Sequence, residues 1–327
     1  GDPGCYQKNA AYLDAVTPSK MKATFAKWID DTPYVLTILP TDKYSVGETD
    51  LDRSAGIPFP TEKVEFQFPK LQTATLSNGA KVVLAQRKGV PLVEMNFQFN
   101  FGYAQENNDE LGYTNFMMGM LNEGTKKYSS LEFDEVLDSL GSNLGFGSGL
   151  DTSVATLSSL KANLSQTLDL AKEALINPTF PEKEIERIKK ETLAGIIQEE
   201  NRPASIAYRN IGKLLYGDDH PYGKPLTGSG ISETISSITR ANIMDVHSRA
   251  INSAHLTFAV AGDIEMEELV DLLESKFGDW TANSDSGLKA LTTVELPDNR
   301  TIYLIDKPNA QQSYIVCLSY TSPSPRD

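Results

Sequence analysis

The sequence predicts an α+β fold, a mostly antiparallel sheet with helices packed against it. Three observations carry this. Val93, Met95, Phe97 and Phe99 alternate with polar residues, the period of a strand with one buried face. Helical periodicity runs through residues 164–176, 182–200, 204–215 and 239–251. Short β-rich runs such as 152–160 and 255–261 are interleaved with these helices.

The elements follow in order. Thr17-Pro18 starts a helix, with Thr17 as N-cap and Pro18 at the first helical position. Met21, Phe25 and Trp28 then recur at helical spacing. Residues 34–39 are a β-rich run ended by Pro40. Residues 41–70 have no period and hold Pro58, Pro60 and Pro69, the composition of a linker or extended connector. Ser77-Asn78-Gly79 is a turn before a strand over 81–85, and Gly89-Val90-Pro91 separates it from the alternating strand. Residues 111–121 read as a helix stopped near Gly124. Residues 131–140 read as another, with Ser129 or Ser130 as cap and Gly141 as stop. Residues 145–149 are glycine-rich, and 265–277 form a last amphipathic helix.

Composition excludes whole classes. The chain has 327 residues, a soft prior for two domains. Thirty basic residues against 44 acidic give a net charge of −14, which argues against a nucleic-acid partner. The 40 % apolar fraction is enough for a core. Cys5 and Cys317 are too few for a disulfide framework and leave one bridge or two free thiols. No apolar run approaches about 18 residues, so no membrane span is expected. The opening Gly1-Asp2-Pro3-Gly4 has neither a charged n-region nor an apolar h-region.

Two motifs recur at nearly one spacing. Val16-Thr17-Pro18 matches Ile238-Thr239-Arg240 at an offset of 222 residues, and Met21, Ile29 and Ile38 then face Ile243, Ile251 and Val260. Leu76-Ser77-Asn78-Gly79 matches Leu296-Pro297-Asp298-Asn299 at an offset of 220, and strand 81–84 faces 301–304. The agreement predicts a unit of about 220 residues repeated along the chain. Residues 1–45 would end a preceding unit, 46–70 would link, 71–285 would be a complete unit, and 286–327 would begin another. Residues 315–318 would continue as strand, whereas 321–327 abandon the apolar pattern, as an artefactual tail would.

Five stretches carry a family resemblance. They are Leu76-Ser77-Asn78-Gly79-Ala80-Lys81-Val82-Val83-Leu84, residues 112–125 (GYTNFMMGMLNEGT), Leu140-Gly141-Ser142-Asn143, Asp219-His220-Pro221-Tyr222-Gly223 with Leu226-Thr227-Gly228, and Val260-Ala261-Gly262-Asp263. In this order they resemble the insulinase/pitrilysin family of zinc peptidases. The resemblance implies two such units per half and four in all, arranged as a clamshell, with residues 41–70 as the hinge between halves.

Active members of that family carry H-x-x-E-H on a helix. Positions i and i+4 share a face, so two imidazoles bind one zinc ion and the Glu between takes a proton from the metal-bound water. The positions that match here are Asn115, Met118 and Gly119, and the later carboxylate ligand falls near Ala194 or Gly195. Glu191, Glu199 and Glu200 are nearby, on other faces of that helix. His220, His247 and His255 form no pair at ligand spacing. No catalytic residue, metal or cofactor is therefore expected on this segment, while Leu111, Phe116, Met120 and Leu121 keep the helix's apolar face.

Other candidates have simpler readings. His220 orders a loop. Ser142 and Ser148 lack a nearby His. Residues 145–149 lack the Gly-Lys-Ser/Thr ending of a phosphate loop. The Glu/Lys mixture of 182–200 is a solvated face. In the family, the strand holding Asn143, Leu144, Gly145, Phe146 and Gly147 is where substrate peptides add as an extra strand, and glycines let a second backbone approach. A bulged edge strand without a ligand is the plainer alternative.

The resemblance thus implies the non-catalytic half of a two-half zinc metallopeptidase, which helps enclose and bind peptide substrates. Zinc would sit on an N-terminal half of the same chain, or on a catalytic subunit. The alternative is a structural or peptide-binding subunit related to the non-catalytic subunits of processing peptidases, with no hydrolase activity. Analogy with exported bacterial relatives points to the periplasm or cell envelope. Without its neighbouring units, the segment is expected to expose apolar surface and to aggregate.

Overall fold

A computed structural model describes residues 5–29, 37, 69–281, 288–294, 301–310 and 312–317. The chain divides into two compact units, Gly1–Glu65 and Phe66–Asp327. The strand expected over 34–39 and the connector over 41–70 lie outside the described residues, apart from Thr37, Pro69 and Lys70.

The first unit contributes α1 (Cys5–Asp14) and α2 (Pro18–Trp28). Thr17 is extended and its Oγ1 accepts a hydrogen bond from Lys20 N at 3.3 Å, so cap and proline start α2 as the sequence predicts. Met21, Phe25 and Trp28 are exposed.

The second unit runs β1 (Gln72–Thr75), β2 (Lys81–Gln86), β3 (Leu92–Phe99), α3 (Tyr113–Gly119), α4 (Ser130–Ser139), β4 (Asn143–Ser148) and β5 (Ser153–Leu160). It continues with α5 (Leu164–Ile176), α6 (Glu182–Glu199), α7 (Pro203–Tyr216), α8 (Ser232–Ser237), α9 (Arg240–Ala250), β6 (Leu256–Gly262) and α10 (Met266–Phe277). The six strands form one sheet in the order β1-β2-β6-β3-β5-β4. Every neighbouring pair is antiparallel except β2 with β6. The architecture is the predicted α+β sheet with packed helices.

Alternation sorts the sheet's two faces. Val93, Met95, Phe97 and Phe99 of β3 are buried, while Glu94 and Asn96 between them are exposed. Phe97 pairs with Phe258 across the ladder, and with Phe277 of α10 their rings form an edge-to-face cluster at 5.1–5.6 Å. Helices α3, α5 and α10 contact the strands, and α9 packs on α3. The caps come from sequence: Ser129 with Glu132, and Thr239 with Asn242, each form a capping box. Gly141, at φ +59°, ends the turn after α4. Ser142, Ser159 and Thr167 share a buried hydroxyl cluster at 2.8–3.0 Å that joins β5 to α5.

Two expectations are corrected. The helix over 111–121 is shorter, because Gly112 adopts φ +91° and a Cβ there would collide with Ser229 O and Gly230. The helix therefore starts at Tyr113. The strands expected over 301–304 and 315–318 are also absent among the described residues: 301–310 and 312–317 form no strand. Ile302 is 94 %, Leu304 92 % and Ile315 86 % exposed. An apolar alternation makes a strand only when a partner supplies the ladder, and no described strand pairs with them.

Candidate functional site

The site grows from the entry to α3. Glu106 is buried, and its carboxylate accepts Gly112 N at 2.8 Å and Thr114 N at 2.7 Å, holding the first turn of the helix. Burial pushes this carboxyl up to about 7, against the pull of the two N–H groups and with Glu110 adding repulsion. The strap over 288–294 crosses here. Lys289 Nζ donates to Glu106 O at 2.6 Å, and Lys289 N donates to Gln105 Oε1 at 2.6 Å.

The three motif positions of α3 part company. Met118 is fully buried in the core with Phe116 and Met117. Gly119 is exposed, with open space where a Cβ would stand. Asn115 is half-buried, and both ends of its amide are engaged: Oδ1 accepts Ser148 N at 2.9 Å and Nδ2 donates to Gly228 O at 3.1 Å. These residues do not fit a zinc ion. One is a committed amide, one is core, and one has no side chain.

On α6, Ala194 is exposed and Gly195 half-buried. Glu191 pairs with Arg187 at 3.0 Å, and Glu199 meets Arg209 at 2.8 Å and Ser229 Oγ at 2.7 Å. The solvated face read from the sequence carries i,i+3 and i,i+4 pairs at Glu184–Arg187, Arg187–Glu191 and Glu186–Lys189. Among the described residues, no three His, Cys, Asp or Glu side chains gather as metal ligands would.

Two of the histidines, His220 and His247, serve structure. Tyr222 N donates to His220 Nδ1 at 3.0 Å, so the ring's Nε2 donates to Thr292 O at 2.9 Å. His220 also stacks on Tyr216 at 5.0 Å, which orders the loop as the sequence suggested. His247 meets Leu175 O at 2.8 Å, and burial lowers its pKa.

Among the described residues, strand β4 lies at the end of the sheet, with β5 on one side only. Its register is one-to-one from Asn143 opposite Ser158 to Ser148 opposite Ser153, so the strand is not bulged as the plainer sequence alternative had it. Leu144 and Phe146 pack on the core, while Gly145 and Gly147 face the other side with Asn143. Gly147 has open space around it. The ladder's alternation is fixed at the hairpin: Gly149 N bonds Thr152 O at 2.7 Å, whereas Ser148 N turns away to Asn115. The backbone groups of Leu144 and Phe146, four and two residues before Ser148, therefore also point away from β5.

The five β4 residues named from the sequence thus lie on one strand whose outer edge pairs with no other described strand, and Asn115 stands at its end. Ser148, Gly228 and Glu106 were not singled out as parts of this site. Gly228 closes the Leu226-Thr227-Gly228 stretch and opens a Gly228-Ser229-Gly230 run whose two glycines take φ +69° and +76°.

Known proteins place this geometry in context. The family model described as insulinase, peptidase family M16, matches residues 81–228, and that of the peptidase M16 inactive domain matches residues 237–327. An uncharacterized zinc protease of Rickettsia felis is 26 % identical over 202 residues, 62 % of this chain and 48 % of its own. Mitochondrial-processing peptidase subunit beta of Mus musculus is 23 % identical over 229 residues, 70 % of this chain and 46 % of its own. The crystal structure of a peptidase M16 inactive domain from Pseudomonas fluorescens has a TM-score of 0.63 at 26 % identity, covering 68 % of this chain and 54 % of that one. The first half of the periplasmic protease PqqL from Escherichia coli has a TM-score of 0.61 at 21 % identity, covering 69 % and 50 %. The chain spans about half the length of these relatives. Sequence and fold agree, and the chain belongs to the insulinase family of peptidases, family M16.

Proposed function

We propose that residues 71–285 act as a non-catalytic M16 unit that holds extended peptides along β4 while a zinc-bearing unit cleaves them. The observation that carries this is the free edge of β4 beside a helix whose motif positions hold no metal ligand. A strand edge offers backbone hydrogen bonds to any extended chain, which suits sequence-tolerant peptide capture. Zinc would come from an N-terminal half of the same chain. The likeness to mitochondrial-processing peptidase subunit beta supports a second arrangement, in which the partner is a separate catalytic subunit. The likeness to a periplasmic protease supports a cell-envelope location. Among the described residues no helix is long and apolar enough to cross a membrane.

Titrating a fluorescein-labelled extended peptide against the full chain tests the reading. Saturable binding with the peptide recovered intact is expected. A flat anisotropy up to millimolar protein would overturn it.

A further inference from the structure

The edge of β4 is not open along its whole length. Ser148 N is the outward-facing donor nearest the hairpin, and Asn115 Oδ1 already accepts from it at 2.9 Å. The amide is held from its other end, since Nδ2 donates to Gly228 O at 3.1 Å. Gly228 is fixed in turn. Its N–H bonds Pro225 O at 3.0 Å, and a Cβ there would run into Asn115 Nδ2 and the Tyr103 ring. The adjoining residues are clamped by Arg209, whose Nη1 donates to Ser229 Oγ at 2.9 Å and Nη2 to Gly230 O at 2.8 Å. A carboxamide suits this place because it offers one acceptor and one donor in a plane, matching an N–H on one side and a C=O on the other.

We infer that Asn115 is a positioning residue that closes the Ser148 end of the β4 edge, confining an added peptide strand to the backbone groups of Leu144 and Phe146. The inference rests on the peptide-binding reading given above. Outward-facing residues recur every second position, so two open positions pair with a peptide stretch of about three to five residues. A longer strand would have to displace Asn115 from Ser148, and the bond to Gly228 O resists that swing. The position that relatives with the intact motif use for a metal ligand here sets the length of the peptide footprint.

Residue-resolved amide hydrogen exchange on the full chain tests this. The probe is an extended Val/Thr peptide of about eight residues, long enough to pass the hairpin end. The peptide is expected to slow exchange at Leu144 and Phe146 and leave Ser148 unchanged. In Asn115→Ala, Ser148 should exchange roughly five- to tenfold faster without peptide, the size of one lost hydrogen bond. The peptide should then slow Ser148 as well. Asn115→Asp keeps the acceptor and should keep Ser148 slow. Slowing of Ser148 by peptide in the unmodified chain would overturn the inference, as would unchanged Ser148 exchange in Asn115→Ala. If the peptide slows no residue of β4, the peptide-binding reading falls and the confinement with it. If it slows Leu144, Phe146 and Ser148 together, only the confinement falls.

Discussion

Ser148 N donates to Asn115 Oδ1 at 2.9 Å across 33 residues of sequence, joining strand β4 to helix α3. The same amide reaches Gly228 O across 113 residues. Three segments thus meet on one side chain.

Gly228 should be intolerant of any side chain. Its φ is +69°, and a Cβ would clash with Asn115 Nδ2 and the Tyr103 ring. Gly228→Ala should cost about 2 kcal/mol or more, combining backbone strain with a broken contact. Urea unfolding checks this: the midpoint should fall at unchanged m-value. A midpoint equal to that of the unmodified chain would remove Gly228 from the junction.

Glu106 should make stability fall as pH rises. Its carboxyl is raised from 4.5 to about 7 by burial. Below about 4.5 the group is protonated in both folded and unfolded chains; between the two values only the folded chain keeps the proton. Its contribution is therefore fully present below the unfolded pKa and is lost as pH rises through about 7, a change on the order of 3 kcal/mol. Glu106→Gln should flatten that slope. It should also cost about 1–2 kcal/mol, since an amide oxygen replaces two acceptors for Gly112 N and Thr114 N. Urea midpoints at pH 5 and pH 8 for both chains decide it. Equal slopes would assign the pH dependence to other groups.

Met118 should resist its motif residue. The side chain is fully buried. Met118→Glu should destabilise by several kcal/mol at neutral pH and less in acid, where the carboxyl is neutral. Thermal unfolding at two pH values reads this out. A neutral substitution at pH 7 would mean that the α3 face opens to water.

The apolar residues over 302–315 should promote self-association. Ile302, Leu304 and Ile315 are almost fully exposed. Replacing all three by Thr should lower the sedimenting mass at high concentration without moving the thermal midpoint. Unchanged association would direct attention to Met21, Phe25 and Trp28, which are exposed as well.

Helices with a polar cap, a proline start or a glycine stop were legible in the sequence. Thr17, Ser129 and Thr239 each cap a helix where local chemistry says they should. The alternating β3 was legible because its period is short and its neighbours are Gly and Pro. Strand β1 and helix α8 were not; Gln72–Thr75 is four mostly polar residues and Ser232–Ser237 is one and a half turns, too short for a period to register. The repeat of strand 81–84 at 301–304 misled, because sequence pattern reports propensity and not the presence of a pairing strand. In the site, the lack of ligand residue types at Asn115, Met118 and Gly119 is readable from the sequence, whereas the β4 residues were named only through the family resemblance. The use of Asn115 was not legible, since both of its partners are backbone atoms far away in sequence and a backbone atom leaves no residue-type signal.

On the proposed reading, this unit holds peptide and zinc elsewhere does the cutting. Zinc content by mass spectrometry on purified residues 1–327 alone, run beside cleavage of a quenched fluorescent peptide with added zinc, separates the outcomes. Zinc far below one per chain and no cleavage are expected. One zinc per chain, with hydrolysis abolished by a chelator and restored by the metal, would contradict it.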